Sequence, residues 1–152
     1  MMYFYNIHNK DAILEEGLGI ESRDPHSPAT GWDLWGEMMR NPESFKTEYF
    51  KYYSCVATID CESVYDSFWL TNCEESFANN YYGKVTPLTG NGSFSSMSVG
   101  DIVLNDDGFW MCDKYGWTEL KELNEKRAKS MAEKEAFRTS VLADYIHDEE
   151  VA

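Results

Sequence analysis

The stretch Ser96–Leu120, SMSVGDIVLNDDGFWMCDKYGWTEL, constrains the fold more than any other part of the chain. Ile102 and Leu104 alternate with Val103 and Asn105, and Phe109 and Met111 alternate with Trp110 and Cys112. This period of two marks strands, because successive side chains point to opposite faces of a sheet. Asp106-Asp107-Gly108 between them reads as a hairpin turn, with Gly108 free to take the positive φ that such turns need. Both faces are apolar around Trp110, so one side is expected to pack against a helix. Gly100-Asp101 and Gly116-Trp117 read as turns that fold this scaffold.

Outside that unit the signals alternate between strand and helix. Met1–Ile7 is β-prone, with Tyr3 and Tyr5 on one face and Phe4 on the other. Asn9 reads as the cap of a short helix over Lys10–Glu16, stopped by Gly17. Residues 17–31 read as a long loop, with glycines and prolines that break regular structure. Trp32, Trp35 and Met39 fall at helical spacing and predict a helix over 32–40 whose Trp/Met stripe lies in the core. Asn41-Pro42-Glu43 looks like the start of another helix carrying Phe45, Tyr49 and Tyr52. Ser54–Asp60 reads as a strand, and Glu62–Thr71 as a helix capped by Asp60 or Ser63. Residues 76–82, which lie outside the residues described below, read as a polar and aromatic connection. Val85–Leu88 reads as a short strand, followed by a Gly90-Asn91-Gly92 turn.

Residues 118–147 predict one long helix, in which Leu120, Leu123, Met131, Phe137, Val141, Tyr145 and Ile146 recur mostly at three- and four-residue steps. The pairs Glu122–Lys126 and Glu125–Lys129 support it in the favoured order. At 1.5 Å per residue it extends about 40 Å. It therefore either projects and meets another chain or breaks near Ser130 or Thr139 and folds back. The fold class is α+β: a small antiparallel sheet covered by helices, with a long C-terminal helix. The 152 residues suit one domain: a strand/helix region with a long loop over 1–53, an α/β module over 54–120, and the helix over 118–147.

Charge narrows the function. The chain carries 27 acidic and 13 basic side chains, a net of −14. A field of that sign repels nucleic-acid phosphates and anionic membranes, so direct binding to either is not expected. Residues 52–113 hold one base, Lys84, against nine acids. Residues 118–139 are near neutral, and 140–152 carry four acids and no base. Acids spread over one module resemble the phosphate charges that a nucleic-acid-binding protein expects. Aromatic residues make up 15% of the chain, enough for a core and for a binding surface, where Trp and Tyr are enriched. The candidate partner-binding residues are Asp60, Glu62, Asp66, Glu74, Glu75, Asp106, Asp107 and Asp113, with Trp110 and Tyr115 as aromatic anchors.

Catalytic and metal chemistry has little footing in the sequence. His8, His26 and His147 are scattered and form no metal-binding spacing. No nucleophile elbow, phosphate loop or dinucleotide motif follows a predicted strand. The four cysteines form no CxxC pair and read as reduced, half-buried thiols. The expectation is a binding protein rather than an enzyme, with no cofactor and no metal, and a small enzyme without a recognisable motif stands as the further alternative. No apolar run nears the ~20 residues of a membrane span, and the first residues lack the pattern of a secretory signal. A cytoplasmic protein is expected.

Residues from about Ser54 to Leu120 also resemble a group of small proteins encoded by phages and mobile elements. The resemblance rests on Val56-Ala57-Thr58-Ile59, Leu70-Thr71-Asn72, Ser76-Phe77 with Asn79 and Asn80, Ser96-Met97-Ser98-Val99-Gly100-Asp101-Ile102-Val103, Gly108, Phe109-Trp110, and Gly116-Trp117-Thr118-Glu119-Leu120. The second block is similar to the YodL-type domain of large polyvalent proteins. Where members carry a basic residue before the S-x-SVGD block, this chain has Phe94-Ser95. The resemblance implies a phage or mobile-element origin and action inside a host cell, and it assigns no residue a role. Two partner readings follow. In the first, the acidic module binds a basic surface on a host protein, and inhibits or modulates a nucleic-acid-handling or defence complex. In the second, residues 120–146 form a homo-oligomer or dock the chain onto a phage assembly.

Overall fold

A computed structural model describes residues 1–72 and 83–151, with side chains to residue 144. The chain falls into two compact units, Met1–Leu120 and Lys121–Ala152. The first is α+β and contains one six-stranded antiparallel sheet in the order β3-β2-β1-β4-β5-β6. Its strands are β1 (Met2–Asn6), β2 (Ser54–Ile59), β3 (Val85–Pro87), β4 (Ile102–Asn105), β5 (Gly108–Cys112) and β6 (Trp117–Glu119). Helix α1 spans Gly31–Arg40 and α2 spans Val64–Asn72, and two 3₁₀ segments cover Pro42–Ser44 and Thr47–Tyr52.

The N-terminal strand lies in the middle of the sheet, with Phe4 opposite both Ala57 of β2 and Val103 of β4. Strand alternation then sends neighbouring side chains into two separate cores. Phe4 turns to the face that holds Phe94, at 5.8 Å between rings. There Met2, Val56, Ala57, Ile59, Val85, Met97 and Val103 close around Leu70 of α2, with Trp110 and Trp117 packed at the margin. Tyr5 turns the other way, to Phe50 at 5.2 Å and Phe109 at 6.0 Å. Phe109 and Trp110 thus face opposite sides, as their alternation in sequence requires. The β4–β5 hairpin closes through the pair Asn105↔Gly108, so Asp106-Asp107 forms its two-residue loop and Gly108 takes φ +126°.

Three local expectations are changed by the structure. Residues 10–16 are not a helix. The Lys10 and Ala12 carbonyls accept from Trp32 and Gly31 N–H, and Ile13 forms a bridge with Thr30. That backbone is committed to the start of α1. Gly31 permits the approach, because a Cβ there would lie 2.7 Å from the Asn9 carbonyl oxygen. Asn41 caps a new helix, as Asn41-Pro42-Glu43 suggests, but one of 3₁₀ type over Pro42–Ser44 and not an α-helix. Its N–H donates to the Glu37 carbonyl at 2.7 Å and its Nδ2 to Glu37 Oε1 at 3.2 Å, which closes α1. The chain beyond it stays 3₁₀. The core side of α1 is Leu34 and Met38, both buried, whereas Trp32 is exposed and stacks edge-on against Trp35 at 5.8 Å. The Trp/Met stripe read from spacing as core therefore lies at the helix margin, with Trp32 exposed and Trp35 and Met39 half-buried, and Lys10 Nζ lies over both indoles.

The second unit is one helix, α3, over Lys121–Val151. Thr118 and Glu119 do not start it; they pair with Met111 and Trp110 in β6. The helix is continuous through Ser130 and Thr139 and rises about 46 Å over its 31 residues. Met131, Phe137, Val141 and Leu142 are exposed on it.

Candidate partner-binding surface

The antiparallel register gathers acids at one end of the sheet. Met2 at the start of β1 pairs with Ile59 at the end of β2, while Tyr3 pairs with Leu104 near the end of β4. Asp60, which follows β2, and Asp106-Asp107, which follow β4, therefore leave the sheet on the same side. Met1, Cys61, Glu62, Asn105, Asp106 and Asp107 line one shallow depression there. Asp60, Glu62, Asp106 and Asp107 are all exposed. Lys84 stands 3.8 Å from Asp60 and offsets one of these charges. The Cys61 thiol is pushed up to about 11, first by burial and then by the carboxylates of Asp66 and Asp60, against the opposing charges of the Met1 ammonium and Lys84.

Trp110, expected as an anchor, has a different task. It packs half-buried at the margin of the α2-side core, and its Nε1–H donates to Asn105 Oδ1 at 3.2 Å. The same oxygen accepts from Asp107 N–H at 2.9 Å, and Asn105 Nδ2 donates to the Glu62 carbonyl at 3.5 Å. Trp110 and Asn105 thus hold the acidic hairpin loop in place and tie it to the segment before α2.

Asp113 and Tyr115 lie at the other end of β5, about 17 Å away along a five-residue strand. Asp113 is a turn-former. Its carboxylate accepts from Thr118 Oγ1 at 2.5 Å and from Tyr115 N–H at 2.8 Å. These donors, the Thr118 hydroxyl first, hold it below the usual carboxylate range. Tyr115, on the same turn, is 100% exposed. Beside it lies a cleft of about 290 Å³ whose walls include Pro42, Phe45, Met111 and Leu120. The ten candidate residues are therefore not one site. Asp60, Glu62, Asp106 and Asp107 come together, Asp113 and Tyr115 sit apart, and Asp66 is on α2. Glu74 and Glu75 lie outside the described residues.

The surface that sequence reasoning missed is on α2. Tyr65, Phe68 and Trp69 are 68%, 40% and 53% exposed, at i, i+3 and i+4 on its outward face. Its inward face carries Ser67 and Thr71, both fully buried, beside Leu70. The two hydroxyls are satisfied within the helix: Ser67 Oγ donates to the Val64 carbonyl at 2.6 Å, and Thr71 Oγ1 to the Ser67 carbonyl at 3.1 Å. Tyr65 reaches towards the β5–β6 turn, where its hydroxyl would lie 3.9 Å from a Cβ on Gly116. The sequence signal was present as two helical stripes, 64/67/71 and 65/68/69, of which the more apolar one faces outward.

Among the described residues no group of three or more His, Cys, Asp or Glu side chains is placed to hold a metal ion. His26 and Asp24 share a loop turn in which the His26 N–H, not its ring, meets the carboxylate at 3.0 Å. Among the described residues no helix is long and apolar enough to cross a membrane. Compared with protein-family models, with curated proteins and with solved structures, the chain matches none.

Proposed function

We propose that this chain is an acidic, phage-encoded binding protein that inhibits or modulates a host protein, and that it acts by occupying a basic groove. The host target is a nucleic-acid-handling or defence complex, and the acids stand in for phosphates. The observation that carries this reading is the gathering of Asp60, Glu62, Asp106 and Asp107 at one sheet end, where the Met1 ammonium and Lys84 offset only part of their charge. Carboxylates on a rigid hairpin keep fixed spacing, which favours electrostatic steering towards a basic surface and repels other partners. The phage origin and the action in a host cytoplasm come from the resemblance of residues 54–120, and binding rather than catalysis is the reading throughout.

The test is affinity purification from host lysate at low and high salt. The comparison is wild type against a variant carrying Glu62→Gln, Asp106→Asn and Asp107→Asn. A retained host protein is expected at low salt, lost at high salt, lost in the variant, and displaced by duplex DNA. Retention that ignores both salt and the three substitutions overturns the reading.

One observation favours a second reading, an assembly role for α3. Its exposed Phe137, Val141 and Leu142 occupy adjacent turns, with Phe137 71% exposed. Sedimentation of wild type and Phe137→Ser at several concentrations separates the two. A homo-oligomer dispersed by Phe137→Ser supports assembly, and a monomer at all concentrations removes self-association through α3.

A further inference from the structure

A surface helix ordinarily buries its apolar stripe and shows a polar one. Helix α2 does the reverse over its middle turns. It places Ser67 and Thr71 against the sheet and sends Tyr65, Phe68 and Trp69 to the surface. Small inward residues let the helix approach closely: Ser67 Oγ is 3.7 Å from Met97 Sδ, and Asn72 Nδ2 donates to the Met97 carbonyl at 2.9 Å. Three large aromatics at i, i+3 and i+4 then make one continuous exposed face. Faces of this kind mark interaction sites on soluble proteins, and Trp and Tyr are the residues that most often anchor partners.

Charge selects the occupant. Asp66 lies within the same turn as Tyr65 and Trp69, and Glu62 precedes the helix; both are exposed. Residues 1–120 as a whole carry 19 acids against 7 bases. A second copy of so acidic a surface would be repelled, as would nucleic acid. A cation is attracted twice, by the carboxylates and by the negative faces of the rings. Arginine suits the site better than lysine: its planar guanidinium stacks on an aromatic face while its edge donors reach a carboxylate, and it loses less hydration.

We infer that the outward face of α2, built from Tyr65, Phe68 and Trp69 beside Asp66, is the docking site for an arginine-bearing basic segment of a partner protein. This deepens the acidic-binder reading and rests on it. The sheet end supplies attraction at a distance, and α2 supplies the contact that distinguishes arginine from lysine. Tyr65 carries the face towards the β5–β6 turn and the exposed Tyr115.

Fluorescence anisotropy tests this with two labelled peptides of equal length and charge, one alternating arginine with alanine and one alternating lysine with alanine. Wild type is expected to bind the arginine peptide several-fold more tightly. Trp69→Ser is expected to weaken it by on the order of tenfold and abolish the preference in a variant that remains folded. Tyr65→Ser is the second variant if Trp69→Ser unfolds. Asp106→Asn with Asp107→Asn is expected to weaken both peptides alike. The inference is overturned if neither peptide binds, if Trp69→Ser and Tyr65→Ser bind as wild type does, or if wild type sediments as a dimer that Trp69→Ser dissociates. Aromatic-independent binding that still needs the acids removes this inference and leaves the proposed function. A Trp69-dependent arginine preference alongside a failed lysate capture does the opposite.

Discussion

The hydroxyl of Tyr53 donates a 2.6 Å hydrogen bond to the carbonyl oxygen of Gly100, and both groups are buried. The bond ties the end of the second 3₁₀ segment to the turn that opens β4. Gly100 takes φ +92°, and a Cβ on it would lie 2.8 Å from Met38 Cβ and 2.9 Å from the Met38 carbonyl oxygen. One turn thus receives α1 and the 3₁₀ region together. Tyr53→Phe leaves a buried carbonyl without its donor and is expected to cost about 1–3 kcal/mol. Gly100→Ala combines a disfavoured φ with a backbone clash and is expected to cost more than Tyr53→Phe. Urea denaturation of both variants checks the order.

Asp101, the next residue, sets a pH dependence. Its carboxyl accepts from Ser98 N–H at 2.9 Å yet is pushed up to about 8, because burial outweighs that bond and the charge of Lys10. The unfolded chain loses this proton near the ordinary value of about 4. Between about pH 4 and 8 the folded protein therefore holds a proton that the unfolded chain has released. Stability from this group is complete below that window, falls as pH rises through it, and levels above about 8, with a slope of at most ~1.4 kcal/mol per pH unit. One acceptor stands near in register: Asn6 Oδ1, buried without a hydrogen-bond partner, is one step beyond the pair Tyr5↔Ile102. Asp101→Asn keeps an oxygen for Ser98 N–H and removes the titration. Urea midpoints at about pH 5 and pH 8 are expected to differ less in Asp101→Asn than in wild type; an equal difference in both proteins would sink this assignment.

What the sequence made legible follows from interactions between near neighbours. The alternation of Phe109 and Trp110, the Asp106-Asp107 hairpin and the turn glycines Gly100 and Gly108 all act within a few residues and made the hairpin legible, as the i,i+4 pairs Glu122–Lys126 and Glu125–Lys129 did the C-terminal helix. Residues 10–16 were misread because their carbonyls bond to Gly31 and Trp32, some twenty positions away. Nothing local in Lys10–Glu16 announces that. The Trp32 stripe was misread, and the α2 face missed, for a different reason. Helical spacing identifies a stripe but not which way it points when the opposite stripe can also be buried. On α1 the opposite stripe is Leu34 and Met38, and on α2 it is Leu70 with Ser67 and Thr71, whose hydroxyls bond their own helix. The acidic end was legible as charge but not as a place, because only the register of β1 with β2 and β4 brings Asp60 and Asp106 to one side.

The reversed packing of α2 makes its own prediction. Ser67 is fully buried, and its hydroxyl serves only the helix carbonyl and the Met97 sulfur. Ser67→Ala removes neither partner's main bond and is expected to cost less than about 1 kcal/mol. Ser67→Leu, which would suit an ordinary amphipathic helix, forces α2 off the sheet and is expected to cost about 1–3 kcal/mol. A stabilising Ser67→Leu, measured by urea denaturation, would show that the inward side of α2 has room and that the helix is not held close by its small residues.

The thiols offer a last check on the two cores. Cys112 is buried at the end of β5, and its thiol is pushed up to about 12, by burial first and then by Asp101 and Asp113. Cys61 is half-buried and raised to about 11 by burial and the acids around it. Because the thiolate is the reactive species, iodoacetamide at about pH 8 is expected to modify Cys112 and Cys61 slowly in the folded protein and at least tenfold faster in urea, with Cys112 the slower of the two. Mass spectrometry of the tryptic peptides reads each site. The variant with Glu62→Gln, Asp106→Asn and Asp107→Asn leaves Asp60 and Asp66 beside Cys61 and should not speed its labelling, whereas Asp66→Asn should. If Asp66→Asn has no effect, the carboxylate is not close enough to act on Cys61, and the negative field at this end of the sheet is narrower than the geometry implies.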